Sequence, residues 1–231
     1  MLTYGLIALG AYLLGSIPTG YLVARSKGID IRKTGSGNIG ATNVFRIVGK
    51  GPGIFVLLVD ALKGYVACAL FCPLVYNWLA PHFVAFYIHF RNEPVDVQIQ
   101  YKIVAGVCAI LGHNYSCWLN FKGGKGVATS AGVFFALTWP AMTVALVVWI
   151  IVFALSRYVS LASMIGAVAL PVATWFTSGM NDGIGTRRSW LLQSVTIAAA
   201  LMVIIRHRAN IQRLRSGTEK RINFKSTGAA P

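Results

Sequence analysis

The chain has 231 residues, is 56% hydrophobic and only 12% charged, and carries a formal net charge of +15. Soluble domains contain about 25% charged residues, so this composition predicts an integral membrane protein. With six acidic residues and so much apolar sequence, the chain is unlike a soluble nucleic-acid-binding domain, and nucleic acid is not an expected partner. Its basic residues instead suit the ends of membrane spans, where they set orientation and meet anionic lipid head groups.

Seven segments are apolar and long enough, or nearly so, to cross the bilayer as helices, which takes about 20 residues. They cover 2–25, 52–75, 101–118, 127–138, 139–156, 158–178 and 189–206. Within lipid the backbone must satisfy its own hydrogen bonds, so every span is expected to be helical. No basic residue precedes Arg25, so the first segment is expected to be a retained span rather than a signal peptide. The predicted fold class is all-α, a polytopic bundle of about seven transmembrane helices, with five or six as the alternative because 127–138 is short.

The distribution of basic residues predicts the orientation of the bundle. If the N-terminus lies outside, sixteen Lys and Arg residues fall on the cytoplasmic side and four on the outer side. Basic residues concentrate in cytoplasmic loops, so we expect the N-terminus outside and the C-terminus in the cytoplasm. Residues 1–215 are expected to form one integral-membrane domain, and 216–231 a polar, disordered cytoplasmic tail. In the polar outer connection 76–100, a short interfacial helix is expected from Trp78 to Phe90.

A glycine-rich loop follows the first span: Gly35-Ser36-Gly37-Asn38-Ile39-Gly40-Ala41-Thr42-Asn43, closed by Arg46. Glycine lets backbone N–H groups converge on a small anion, and a cation neutralises its charge. The match to the dinucleotide pattern G-x-G-x-x-G is formal only, because that pattern follows a strand in an α/β unit. We therefore predict that this first glycine loop (35–43) binds an anion or a polyol; the alternative is a flexible connection. The candidate contacts are Ser36, Asn38, Asn43 and Arg46.

A second glycine-rich loop follows the third span: Phe121-Lys122-Gly123-Gly124-Lys125-Gly126-Val127-Ala128-Thr129. It is not a Walker P-loop, because Leu119 and Gly126 stand where that pattern needs Gly and Ser or Thr, so ATP is not an expected ligand. Three glycines interleaved with two lysines predict a phosphate cradle in this second glycine loop (121–129); the alternative is a positive-inside loop. The candidate contacts are Lys122, Gly123, Gly124, Lys125 and Gly126.

Two polar features lie inside or at the end of apolar spans. Asp60 and Lys63 are three residues apart, on one helical face. A lone charge at the bilayer centre costs roughly 2.5–3.5 kcal/mol on insertion scales, so the two either neutralise each other or Lys63 faces a substrate. His113 ends the third span, where it is a candidate general base, substrate-orienting residue or helix cap.

Pro18 is expected to kink the first span. The four cysteines have no zinc-ligand spacing, and no metal or cofactor is predicted.

Together these segments resemble one family, the bacterial membrane glycerol-3-phosphate acyltransferases that use acyl phosphate as donor (the PlsY family). The likeness covers about 1–222, and its specificity comes from the order and spacing of the motifs rather than from any one of them. The motifs are Gly15-Ser16-Ile17-Pro18, Gly35 to Asn43 with Arg46, Asp60-x-x-Lys63-Gly64, Gly112-His113-Asn114, Phe121 to Thr129, Arg157-Tyr158-Val159-Ser160-Leu161 and Arg206-His207-Arg208-x-Asn210-Ile211. The outer connection 76–100 departs from the family, since it is longer and more polar.

The resemblance implies acyl transfer from acyl phosphate to the sn-1 hydroxyl of glycerol 3-phosphate, the first acylation of phospholipid synthesis. The products are 1-acyl-glycerol 3-phosphate and phosphate. It also implies a multi-pass protein of the bacterial inner membrane, with its active site facing the cytoplasm and no cofactor. An organic-anion transporter is the alternative, but such a protein places its charges near mid-membrane, whereas most of these lie on one face.

The family reaction assigns roles to the polar residues. Acyl phosphate has a good leaving group, so charge neutralisation matters more than a strong acid. The groups expected to neutralise the donor phosphate are Lys122, Lys125 and the amides of 123–126. The side chains expected to hold glycerol phosphate are those of Ser36, Asn38 and Arg46, and those expected to close the pocket are Ser160, His207 and Asn210. The hydroxyl proton goes either to the donor phosphate itself or to His113.

Overall fold

A computed structural model describes residues 2–78, 95–177 and 190–222, and within these ranges the regular structure is entirely helical. The helices are α1 Leu2–Ser16, α2 Thr19–Arg25, α3 Ala41–Ile47, α4 Lys50–Val66, α5 Cys72–Trp78, α6 Val95–Asn114, α7 Val127–Leu137, α8 Trp139–Ser156, α9 Val159–Thr177, α10 Trp190–Arg206 and α11 Arg208–Arg215. A π-helical turn, Ala67–Phe71, joins α4 to α5, and a 3₁₀ turn, Cys117–Leu119, precedes the second glycine loop. The prediction of an all-α membrane protein is confirmed.

Four stretches of the described chain are long and apolar enough to cross a membrane: Leu2–Arg25, Lys50–Trp78, Trp139–Ser156 and Val159–Thr177. A fifth is the pair α10 and α11, which is bent by 56°. Helix α7 has only 11 residues, as its short apolar segment predicts. The count of seven spans and the orientation of the termini stay predictions. The predicted interfacial helix Trp78–Phe90 lies almost wholly outside the described residues.

Proline interrupts the first two apolar stretches. Pro18 lacks an N–H donor and separates α1 from α2, as expected from the sequence. Pro73 stands two residues after the π-helical turn Ala67–Phe71, where the missing N–H accompanies a local change of hydrogen-bonding register. The first interruption exposes the carbonyl of Ile17, which accepts a hydrogen bond from Lys63 Nζ at 3.1 Å. This hydrogen bond holds the break between α1 and α2 against α4.

Close helix contacts bring the two glycine loops together. A Cβ at Gly64 of α4 would lie 2.2 Å from the carbonyl oxygen of Thr129 in α7, so only glycine allows this approach. A Cβ at Gly15 of α1 would similarly lie 2.1 Å from the carbonyl oxygen of Ala109 in α6. Small residues at such crossings let helix backbones pack closely within a membrane. Helix α4, which follows the first loop, is thus fixed against α7, and helix α6, which leads into the second loop, is fixed against α1.

The C-terminal strap, defined here as residues 216–222, folds back onto the bundle. Ile222 is buried and its N–H donates to the carbonyl of Arg157 at 3.0 Å, and Glu219 is only 8% exposed. The expectation of a disordered tail beginning at residue 216 is therefore wrong for this segment. The segment is polar overall, but two of its side chains hold it on the bundle: the apolar Ile222, and the acidic Glu219, which lies among cations. Residues 223–231 lie outside the described part of the chain.

Candidate functional site

One cavity of about 280 Å³ collects residues from both glycine loops, from the ends of α9 and α10, and from the C-terminal strap. One end is polar, and its lining includes Ser36, Asn38, Thr42, Asn43, Arg46, Asp60, His113, Lys125, Ser160, His207, Asn210, Arg213 and Glu219. The other end is an apolar arm between α7, α8, α9 and α10, lined by Phe134, Met142, Ala145, Leu146, Trp149, Leu170, Ala199, Ala200 and Val203. The two loops, far apart in sequence, thus face the same space.

Asn43 organises the first glycine loop from inside. Its Nδ2 donates to the carbonyls of Asn38 at 2.9 Å and Thr34 at 3.0 Å, and its Oδ1 accepts from the N–H of Ser36 at 3.0 Å. The amide of Asn43 is engaged by the loop and only 3% of the residue is exposed, so the side chain shapes the loop. Asn43 also lines the cavity, and its assignment as a substrate contact stays a prediction. Ser36 and Asn38, which Asn43 positions, line the cavity.

The amides of Gly123 and Gly124 do not face the cavity. They donate to the carbonyls of Asn114 and His113 at 3.1 and 3.0 Å, which satisfies the C-terminal end of α6. An N–H engaged in this way has no proton left for a phosphate, so the assignment of these two amides to substrate is corrected. Arg206 Nη2 reinforces the turn by donating to the carbonyl of Gly124 at 2.6 Å.

The N-terminus of α7 supplies the amides that the cradle needs. Gly126 has φ +79°, a left-handed conformation that turns the chain into α7, and it lines the cavity together with Val127 and Ala128. The first N–H groups of a helix have no intrahelical partner and carry a partial positive charge. In the second loop, anion-binding capacity therefore lies in Gly126 and the residues after it.

Lys125, not Lys122, is the lysine of the cavity. Lys122 is exposed and absent from the lining, because it lies in a turn at the start of the second glycine loop, before the Gly123 N–H bonds back to the end of α6. This corrects its assignment as a catalytic group that neutralises the donor phosphate. Lys125 Nζ donates to Asn210 Oδ1. Burial lowers the pKa of Lys125 to about 8, an effect that nearby Glu219 opposes and the neighbouring arginines increase.

Arg46 lies in the last turn of α3 and lines the cavity, as predicted. Its Nη2 donates to the carbonyl of Lys220 in the C-terminal strap at 2.7 Å. Its Nε is buried and has no hydrogen-bond partner among the described residues. The guanidinium is thus held in place at one nitrogen and keeps an N–H available at another.

Glu219 joins the strap to three other elements. Its Oε1 accepts from Ser160 Oγ at 2.8 Å and from Asn210 Nδ2 at 2.7 Å, and its Oε2 accepts from Arg213 Nε at 2.7 Å. Burial alone would raise the pKa of Glu219, but these hydrogen bonds hold it below its ordinary value. Glu219 is not among the site residues expected from the sequence. The available signal was a single acidic side chain in a strongly basic C-terminal segment.

Ser160, His207 and Asn210 lie where the resemblance implies, at the polar end of the cavity. All three are buried. Ser160 and Asn210 are engaged by Glu219, and His207 Nδ1 lies 2.7 Å from the carbonyl oxygen of Val203. A carbonyl only accepts, so Nδ1 of His207 is the protonated nitrogen and Nε2 is the acceptor when the ring is neutral.

A buried cluster of Asp60, Lys63 and His113 lies behind the second glycine loop. Lys63 Nζ is 2.9 Å from Asp60 Oδ1 and 2.9 Å from His113 Nδ1. Lys63 is absent from the cavity lining, whereas Asp60 and His113 belong to it. Of the two alternatives for Lys63, the geometry favours the neutralising pair over direct contact with a substrate.

The apolar arm follows α9 away from the polar end. From Ser160 to Leu170 this helix rises by about 15 Å, half of the roughly 30 Å hydrocarbon core of a bilayer. Trp149 of α8 forms part of the wall, and its Nε1 donates to Ser163 Oγ at 3.2 Å. The arm therefore has the polarity and the depth of one lipid tail.

The chain matches one protein family over nearly its whole length. The family model described as "Glycerol-3-phosphate acyltransferase" matches residues 5–217. The chain is 45% identical over 221 residues to the glycerol-3-phosphate acyltransferase of Synechococcus sp. (strain JA-3-3Ab), covering 95% of this chain and 94% of that relative. It is 44% identical over 211 residues to the protein of the same description from Geobacter sulfurreducens, covering 91% and 93%.

Two solved structures resemble the fold. They are crystal structures of PlsY (YgiH), an integral membrane glycerol 3-phosphate acyltransferase, in a glycerol 3-phosphate form and a lysophosphatidic acid form. Their TM-scores to this chain are 0.75 and 0.73, with 33% sequence identity in both cases. The two comparisons cover 95% of this chain, and 96% and 95% of the respective PlsY chains.

Proposed function

The chain belongs to the glycerol-3-phosphate acyltransferase family, and on this premise we propose that it transfers a fatty acyl group from acyl phosphate to the sn-1 hydroxyl of glycerol 3-phosphate. The products are 1-acyl-glycerol 3-phosphate (lysophosphatidic acid) and phosphate. The reaction takes place at the cytoplasmic face of the bacterial inner membrane, as the first acylation of phospholipid synthesis. The positive-inside pattern supports this orientation.

The two-part cavity is the observation that carries the proposal. Its polar end holds Arg46, Lys125 and the N-terminus of α7 for phosphate oxygens, and its apolar arm is suited to an acyl chain. A dianion from water and a lipid tail from the bilayer can meet only at such a boundary. Binding both in one cavity replaces an encounter between two molecules by a positioned reaction, which can lower a barrier by several kcal/mol.

The chemistry requires no covalent enzyme intermediate. The sn-1 oxygen attacks the carbonyl carbon of the mixed anhydride, the bond from that carbon to the phosphate oxygen breaks, and the departing phosphate takes the hydroxyl proton. Lys125 and the α7 amides stabilise charge on the leaving phosphate, while Arg46, Ser36 and Asn38 hold glycerol phosphate. Ser160, His207 and Asn210 close the polar end around the reacting groups.

A donor comparison tests the proposal. Purified protein in lipid nanodiscs receives glycerol 3-phosphate with either acyl phosphate or the matching acyl-CoA. We expect formation of lysophosphatidic acid that depends on glycerol 3-phosphate, with acyl phosphate only, accompanied by release of one phosphate per product. Equal or faster turnover with acyl-CoA contradicts the donor assignment. Uptake of glycerol 3-phosphate into proteoliposomes without turnover from either donor points to an anion transporter instead.

A further inference from the structure

We propose that Phe134 of α7 closes the far end of the apolar arm, and that this side chain limits the length of the acyl chain that the enzyme accepts. The inference rests on the function proposed above and deepens it. It makes Phe134 a specificity-determining residue, at the opposite end of the cavity from the groups that bind phosphate.

The side chains at the far end of the arm come from three helices. They are Phe134 of α7, Met142 of α8 and Leu170 of α9. Phe134 is fully buried, and Leu170 is only 5% exposed. Both belong to one packed apolar cluster, together with Ala141 and Ala173. Phe134 is the largest fully buried side chain among the described residues, so it is the bulkiest obstacle at this end.

The helices continue beyond this point, but the cavity does not. About one turn further from the polar end, α8, α9 and α10 each place a buried residue: Ala141, Ala173 and Thr196. None of these three residues lines the cavity. Because protein interiors are close-packed, the buried layer beyond Phe134 leaves no path for a longer chain. The arm is therefore blind in this direction.

The side of the arm differs from its far end. Leu146 of α8 lines the cavity and is nevertheless 36% exposed. The arm is thus open to lipid at the level of Leu146, and a chain can enter from the bilayer through this side. Carbons that reach past Leu146 meet the buried floor at Phe134. A chain that is too long must either displace packed side chains or leave its end in the side opening.

Helix α7 carries both the phosphate-binding end and the floor of the arm. Its first residues, Val127 and Ala128, line the polar end, and Phe134 follows about two turns later. Val127, Ala131 and Phe134 are spaced i, i+4 and i+7, so they share one face of the helix, and all three line the cavity. A single helix therefore sets the distance from the phosphate site to the floor.

Phe135 offers a matched control for Phe134. It is the same residue type at the next position of α7, but it lines a separate groove together with Leu62 and Tyr65 of α4 and Trp139 of α8. Phe135 does not line the cavity. Phe135→Ala therefore removes an equal side chain from α7 without lengthening the arm.

Kinetics over a series of chain lengths tests the proposal. Wild type, Phe134→Ala and Phe135→Ala in nanodiscs receive saturated acyl phosphates from decanoyl to eicosanoyl. Every donor is dissolved in lipid, so methylenes that fit the arm should change kcat/KM little. Beyond the length that fills the arm, kcat/KM of wild type should fall at least about tenfold, because extra methylenes overpack the floor. In Phe134→Ala this break should move about two to four carbons longer, since the lost ring leaves a cavity there. Phe135→Ala should keep the wild-type break.

Two results overturn the proposal. One is a wild-type profile without a break up to eicosanoyl phosphate. The other is an unchanged break in Phe134→Ala whose fold is retained by circular dichroism. If wild type uses no acyl phosphate of any length, the proposed function is contradicted instead.

Photolabelling gives a readout that needs neither turnover nor a variant that folds. The probe is 1-acyl-glycerol 3-phosphate with a diazirine at the last carbon of the chain, irradiated with the wild-type protein. For chains that fill the arm we expect label at Phe134, Met142 or Leu170, and unlabelled lysophosphatidic acid should prevent it. For longer chains the label should move to Leu146 at the side opening. Label confined at every length to lipid or to lipid-facing side chains such as Leu155, which is 83% exposed, overturns the proposal.

Discussion

Replacing Glu219 by Ala is expected to release the C-terminal strap from the cavity. The carboxylate accepts hydrogen bonds from two buried side chains, Ser160 at 2.8 Å and Asn210 at 2.7 Å, and from the partly exposed Arg213. A hydrogen bond to a charged group contributes about 1.5–3 kcal/mol, so the two buried ones together contribute about 3–6 kcal/mol. Water can replace the contact to the partly exposed Arg213, so this contact adds little to the free energy of strap docking. The lower bound corresponds to a shift of roughly 100-fold in the docking equilibrium of the strap.

Hydrogen exchange at Ile222 measures this equilibrium directly. Its N–H is protected by the carbonyl of Arg157 only while the strap is docked. We expect exchange at Ile222 to be roughly 100-fold faster in Glu219→Ala than in wild type, in line with the lower bound above. Asp30→Ala is the matched control, since it removes another carboxylate paired with an arginine, Arg32, at an exposed site. Unchanged protection of Ile222 in Glu219→Ala would refute the reasoning.

Four further predictions concern the strap and the two ends of the cavity. Lowering the pH through the depressed pKa of Glu219 should weaken docking of the strap and speed hydrogen exchange at Ile222. A carboxyl group with a depressed pKa stabilises the folded form only while it is ionised. In Glu219→Gln, exchange at Ile222 should not depend on pH in this way. Lys125→Ala should lower kcat/KM by about 10–100-fold, because it removes a charged contact to the substrate. The control Lys122→Ala should change kcat/KM by less than about threefold. Similar losses in both variants would mean that Lys122 also belongs to the site. The wild-type kcat/KM should also fall as the pH rises through the Lys125 pKa of about 8, and in Lys125→Arg this limb should move to higher pH, since Arg stays charged. Ala200→Phe, which fills the apolar arm, should abolish turnover of long acyl phosphates and spare short ones; equal loss for all chain lengths would place the acyl chain elsewhere.

The helices could be predicted from sequence because apolar length is a local property. The segment 139–156 matches helix α8 to the residue, and 189–206 differs from α10 by one residue. The short segment 127–138 became the short helix α7, as expected. What sequence could not provide is which of these helices spans the bilayer, since that depends on the tilt and burial of each helix.

The candidate site could be predicted as a set of segments but not atom by atom. Both glycine loops and Arg46 meet in one cavity, as their charge and glycine content indicate. The amides of Gly123 and Gly124 are instead used by the end of α6, and Asn43 is used by its own loop. These hydrogen bonds depend on the folded conformation of each loop, which charge and glycine content do not specify. Glu219 was missed for the same reason, because its partners come from elements that only the fold brings together.

The central claim is that the two glycine loops hold both phosphate-bearing reactants in one cavity. A crystal structure with glycerol 3-phosphate and a non-transferable acyl phosphonate tests it most directly. We predict that both phosphorus atoms lie at the polar end, in contact with Arg46 and with Lys125 or the N-terminus of α7, and that the acyl chain runs along α9 toward Leu170. Phosphorus atoms bound at separate sites, or an acyl chain outside the arm, would contradict the account.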